Sequence, residues 1–175
     1  MKLDPLFTAK NNELYKISDG SKIDLFQIKE INGNNLVYTN SLFCKISIPW
    51  SKVELEDELY NEEFLANLRD YLKILDDKNQ FAIIKPLVDK SLENQEQLEL
   101  FINAFNHTAR RTKDCISLVG MELPPELLSK GFGADSPSLQ FIEKLEIKHA
   151  QFVYFADKKI ISEQKIATPD TIILL

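Results

Sequence analysis

Between Phe43 and Asp89 the chain reads FCKISIPWSKVELEDELYNEEFLANLRDYLKILDDKNQFAIIKPLVD. Two apolar runs, 43–49 and 81–88, flank a segment in which Phe64, Leu65, Leu68, Tyr71, Leu72 and Leu75 recur at helical spacing. These positions make one apolar stripe, so the segment is a helix packed on a sheet. Asn61 stands where its N-cap belongs, and Glu62 and Glu63 fall in the first turn, where acids complement the helix dipole. Strand, crossover helix and strand form the βαβ unit of a parallel sheet.

The alternation continues downstream. Residues 94–113 predict a second helix, opened by NQEQ in the manner of a capping box and faced by Leu98, Phe101, Ile102, Phe105 and Ala109. ISLVGMEL (116–123) is a third buried strand, stopped by Pro124-Pro125. Ser136-Pro137 reads as the N-cap and first-turn proline of a third helix, and AQFVYFA (150–156) as a fourth strand. The tail, 158–175, predicts one or two edge strands. Upstream, residues 1–12 carry little pattern, and 13–42 read as antiparallel hairpins turning at Asp19-Gly20 and Asn32-Gly33. The expected fold class is α/β in one domain, 1–175. An N-terminal β-hairpin region precedes a β-α-β-α-β-α-β parallel sheet over 43–157, as a half-barrel or an open sheet.

Composition narrows the function. The 175 residues suffice for one core, and a net charge of −6 disfavours a nucleic-acid partner. The basic cluster Arg110-Arg111-Thr112-Lys113 falls at a helix end, where cations complement the dipole. Cys44 and Cys115 read as small core residues, and His107 and His149 lack ligand spacing, so neither a metal nor a cofactor is expected. No apolar run approaches ~18 residues and the N-terminus has no apolar signal core, so no membrane partner is expected and the expected compartment is the cytoplasm.

Parallel strands gather their carboxyl ends on one rim, where sites on such sheets lie. Trp50 follows the first strand, Asp89 the second, Glu122 ends the third and Asp157 follows the fourth. Carboxylates beside an indole suit sugar chemistry: one acid protonates the leaving oxygen, a carboxylate attacks or activates water, and the ring covers the sugar. Each residue also has a plainer reading. Asp89 and Asp157 suit helix caps, and Trp50 suits a plug over the core. Glu122 lies inside the apolar run LVGMELP, where an acid is costly unless paired or functional, although alternation could point it outward. Lys45 and Lys85 also sit inside buried runs; for Lys85 a Schiff-base or ion-pair role stands beside a snorkelling one.

These residues resemble a known pattern. NELYKISDGSKIDL resembles the small hairpin that precedes the barrel in family-five, cellulase-like glycoside hydrolases. The 43–89 stretch is similar to their second strand, helix and third strand, and ISLVGMELP to their fourth, which carries the acid/base glutamate after an asparagine. The resemblance covers about residues 13 to 125 and implies a truncated, degenerate (β/α) barrel with Glu122 in the acid/base place. Lys45 stands where the family has arginine, and Met121 where it has asparagine. A complete barrel needs at least ~200 residues, and no residue here takes the role of the family's nucleophile. Three readings follow: a non-catalytic binding or scaffold protein with a degenerate glycosidase-like fold, a small carbohydrate-active hydrolase using Glu122 with Asp89 or Asp157 and Trp50, or a generic protein-interaction module. The expected partner is a carbohydrate or a protein, including a second copy that covers the open edge of a half-barrel as a homodimer.

Overall fold

A computed structural model describes residues 3–175. Strands β1 (Phe7–Lys10) and β2 (Glu13–Lys16) form an antiparallel hairpin. Its turn is Asn11-Asn12, with φ of 52° and 61°. Both values are the left-handed geometry of a two-residue type I′ turn, which asparagine tolerates. The hairpin therefore begins inside the segment that carried little pattern. The Asp19-Gly20 turn does form, with Gly20 at φ 71°, but the returning chain makes only one bridge, Tyr15 to Lys22.

Strand β3 (Lys29–Asn32) corrects the expectation of antiparallel hairpins through residue 42. It pairs in parallel with β4 (Phe43–Pro49). Gly33 extends this ladder by donating its N–H to Ser47 O at 2.8 Å. The β3–β4 connection contains no helix. Side chains pin it instead: Tyr71 Oη donates to Val37 O, and Gln80 Nε2 to Thr39 O and Ser41 O.

After β4 come a single helical turn, α1 (Trp50–Val53), and a small hairpin, β5 (Glu54–Glu56) with β6 (Leu59–Tyr60). Then follow α2 (Glu62–Asp77), β7 (Phe81–Leu87), α3 (Gln95–Arg111), β8 (Leu118–Glu122), α4 (Pro125–Leu128), α5 (Pro137–Glu146) and β9 (Val153–Ala156). The three long helices start at the caps read from the sequence. Asn61, Asn94 and Ser136 accept the N–H of Phe64, Gln97 and Leu139 respectively. The tail differs from expectation: its first half is helix α6 (Lys158–Glu163), and only β10 (Ile172–Leu174) is a strand.

The main sheet runs β10-β9-β8-β7-β4-β3, in chain order and parallel throughout. This is the winding of a (β/α) barrel sector. The outer strands β3 and β10 do not pair with each other, so the sheet is not a closed barrel. Alternation gives the inner strands two buried faces, while on the edge strand β3 only Ile31 is buried. Cys44, Ile46, Ile48, Ala82 and Ile84 face α2, α3 and α5, which bury Leu68, Leu72, Phe101, Phe105 and Phe141 against them. On the other face Phe43, Ile83, Val119, Phe155 and Ile173 meet Phe7 and Leu14 of the β1–β2 hairpin. Each fully buried Leu, Ile or Phe contributes on the order of 1.5–3 kcal/mol. Asn12 ties the hairpin to the last strand, donating through Nδ2 to Pro169 O and Ile172 O, each at 2.8 Å.

Among the described residues no helix is long and apolar enough to cross a membrane. Gly120 of β8 approaches β9 so closely that an added Cβ would overlap the carbonyl oxygen of Val153. Gly120→Ala therefore forces these two strands apart and should cost about 3 kcal/mol or more, seen as a lower midpoint in urea unfolding followed by circular dichroism.

Candidate functional site

Glu122 is the inward-facing acid at the carboxyl end of β8. Strict alternation would place Leu118, Gly120 and Glu122 on one face of the strand. The register between β7 and β8 slips by one residue, from Ala82↔Leu118 to Ile83↔Gly120. Leu118 and Met121 consequently both face the helices, and Val119 packs under the hairpin. A bulge of this kind re-aims the side chains that follow it. Here it turns Glu122 onto the inner face.

That face carries a charged row across four neighbouring strands. Glu30 on β3 lies beside Lys45 on β4, and Lys85 on β7 lies beside Ser47. Lys45 Nζ is 2.9 Å from Glu30 Oε1 and 3.0 Å from Glu122 Oε2, while Lys85 Nζ is 3.2 Å from Glu122 Oε1. Glu122 is 1% exposed. Its contact with Lys45 is one of charge: Oε2 accepts no aligned hydrogen bond among the described residues. Burial by itself would depress the Lys45 ammonium. The hydrogen bond that Lys45 donates to Glu30 and the charge of Glu122 outweigh it, and the net displacement is upward.

The other three rim residues take structural positions. Asp89 accepts the Ser51 N–H at 2.9 Å and also the Ser51 hydroxyl, closing the turn that follows β4. Asp157 caps α6 by accepting the N–H of Lys159 and Ile160 at 2.8 and 3.1 Å. Neither pairs with Glu122 among the described residues. Trp50 is 2% exposed, and its ring stands edge-on to Phe101 at 5.3 Å. Its Nε1 donates to Glu54 Oε2 at 2.6 Å, and Lys90 Nζ sits 5.0 Å over the ring while donating to Glu54 O. Of the two readings of Trp50, platform and plug, the geometry matches the plug: the buried ring sits over the end of the core and its N–H serves the buried Glu54 carboxylate.

Glu30 was not anticipated as a member of the site, and Lys45 only as a lysine inside a buried run and as a family position. The signal was available: lysines two residues apart from apolar neighbours on adjacent strands, together with an acid in a third buried run, call for mutual pairing. His107 is held between Glu62 Oε1 at 2.7 Å and the Arg110 guanidinium at 2.8 Å, on the helical layer away from Glu122. Among the described residues no group of three His, Cys, Asp or Glu side chains could hold a metal ion.

No protein-family model matches the chain, and no curated protein matches it significantly. Solved structures do. Endo-glycoceramidase II from Rhodococcus sp., in complex with a cellobiose-like isofagomine, matches with a TM-score of 0.52 and 10% identity over 66% of this chain and 41% of that one. A protein described as a glycoside hydrolase matches with a TM-score of 0.51 and 10% identity over 66% and 42%. A GH5_18 protein from Bifidobacterium longum subsp. infantis gives 0.49 and 9% over 65% and 34%. This chain spans less than half the length of each. At such identities the likeness is one of fold. The chain is an α/β protein with the fold of a glycoside hydrolase barrel sector. The fold agrees with the partial (β/α) barrel that the resemblance in sequence implied.

The Lys45 displacement has a pH signature. A lysine whose ammonium is favoured by folding contributes stability that is fully present below its unfolded value, about 10.4, and lost as pH rises through the folded one. The stability difference between the natural chain and Lys45→Met should therefore shrink above about pH 10.4 and be unchanged between neutrality and pH 9, as measured by urea unfolding across that range.

Proposed function

We propose that the chain is a non-catalytic binding or scaffold protein, in which a glycosidase-like fold has turned its acid/base position into a structural counter-ion. The state of Glu122 supports this most directly. A general acid must present a proton to the leaving oxygen of a substrate within hydrogen-bond reach. The Glu122 carboxylate lies instead between two ammonium groups and is 1% exposed. A retaining mechanism also needs a second carboxylate ~5 Å away that is free to attack; Glu30, which shares Lys45 with Glu122, is held in that ion pair, and the rim acids Asp89 and Asp157 accept backbone N–H groups.

A carbohydrate is the ligand class this reading favours. The solved neighbour from Rhodococcus sp. is described in complex with a cellobiose-like compound and with ganglioside GM3. On the carboxyl-end rim, the loops after β7 and β8 enclose a cleft of about 390 Å³. Asn94, Gln95, Glu126, Asp135 and Gln140 line it, with Gln95 Nε2 donating to Gln140 Oε1 at 2.9 Å. Amide and carboxylate groups of this kind suit sugar hydroxyls, which both donate and accept.

A panel of aryl glycosides and cello-oligosaccharides tests the proposal. The expected outcome is no sugar release by the natural chain, and Glu122→Gln destabilised by about 3 kcal/mol because Lys85 loses its counter-ion and Lys45 keeps only Glu30. Sugar release by the natural chain that disappears in Glu122→Gln, with Lys45→Met retaining it, would overturn the proposal in favour of a hydrolase.

A further inference from the structure

At the opposite end of the sheet, the segments that leave α3 and α5 enclose a second cleft, of about 410 Å³. Three cations line it, Arg110, Lys113 and Lys148, in a chain whose net charge is −6. His149 also lines it. That ring is 2% exposed, and neither Nδ1 nor Nε2 has a hydrogen-bond partner among the described residues. An imidazole always carries at least one N–H, and a buried N–H without an acceptor costs about 1–3 kcal/mol. The ring is oriented by stacking on Phe152 at 5.4 Å, which leaves its nitrogens unused. Burial first, then the charges of Lys148 and Lys113, displace its titration downward.

We propose that this cleft binds a small phosphate-bearing anion, with Lys113, Lys148 and Arg110 neutralising the charge and His149 donating to a phosphate oxygen. Two of the neighbouring acids are placed outside this cleft. Asp114 is paired with Arg69 at 2.5 Å, and Glu146 lines the neighbouring cleft beyond Gln151. Arg110 gives one guanidinium nitrogen to His107 Nδ1 and keeps its other donors. Two of the cations, Lys113 and Lys148, follow helix ends, where they would also complement the dipoles. That role predicts stabilisation independent of phosphate, and so the two can be told apart. The cleft shares no residue with the rim cleft on the carboxyl side, and its binding is independent of any carbohydrate activity.

The probe is inorganic phosphate, titrated calorimetrically into the natural chain at constant ionic strength against chloride, with the two histidine ring spectra followed by NMR. Saturable binding is expected, with the His149 resonances shifting and those of His107 staying in place. Lys113→Ala/Lys148→Ala, two exposed substitutions that leave the core intact, should weaken phosphate binding by about tenfold or more, equivalent to losing at least ~1.4 kcal/mol. His149→Phe should retain the fold and weaken binding as well. Heat that does not saturate, binding undiminished in the double variant, or an unmoved His149 ring would each overturn the proposal.

Discussion

A carboxylate on the inner face of a parallel sheet governs much of this molecule. Taking an unpaired carboxylate out of water costs several kcal/mol, and Glu122 is almost fully out of water. It is tolerated because β4 and β7 each bring a lysine to within about 3 Å of it. Those contacts demand an agreed register over β3, β4, β7 and β8, and a one-residue slip would send the lysines into the helical core. The bulge in β8 is part of the same solution. It lets Met121 keep its place in the apolar layer while Glu122 turns the other way.

The buried Glu54 at the end of the core repeats the principle with different partners. It is 0% exposed, yet its carboxylate receives the Trp50 indole N–H, the Glu58 amide and the Lys90 ammonium. One acid therefore anchors the carboxyl end of the inner face and another anchors the turn after β4. Both convert side chains that look reactive in isolation into supports. Asp89 and Asp157 do the same through backbone N–H groups. Together these pairings account for the acids Glu54, Asp89, Glu122 and Asp157 at the carboxyl ends of the strands.

The inner face is also where this sheet departs from a closed barrel. In a barrel the inward side chains of opposite strands fill the centre. Here the β1–β2 hairpin lies against that face and supplies Phe7 and Leu14. Asn12 at its tip fastens the hairpin to β10, the outermost strand. The hairpin thus does for the apolar half of the face what the lysines do for the charged half.

Local chemistry was legible in the sequence. Asn61, Asn94 and Ser136 capped the helices foreseen, because a capping oxygen acts on an N–H only two or three residues away. The apolar stripe of α2 and the parallel order of β4, β7, β8 and β9 were legible for the same reason: periodicity is written into neighbours. The Asn11-Asn12 hairpin was equally local, yet it was hidden by the stronger turn signal of Asp19-Gly20. Other features were decided only in three dimensions. Whether β3 ran with or against β4, whether Glu122 faced inward, and whether Trp50 was a platform or a plug all depended on residues far away in the chain. Lys45 lies 77 positions before Glu122 and meets it at 3.0 Å. Short-range pattern sets which elements form and which side is greasy, whereas the partner of a buried charge is chosen by the register of strands that the pattern does not record.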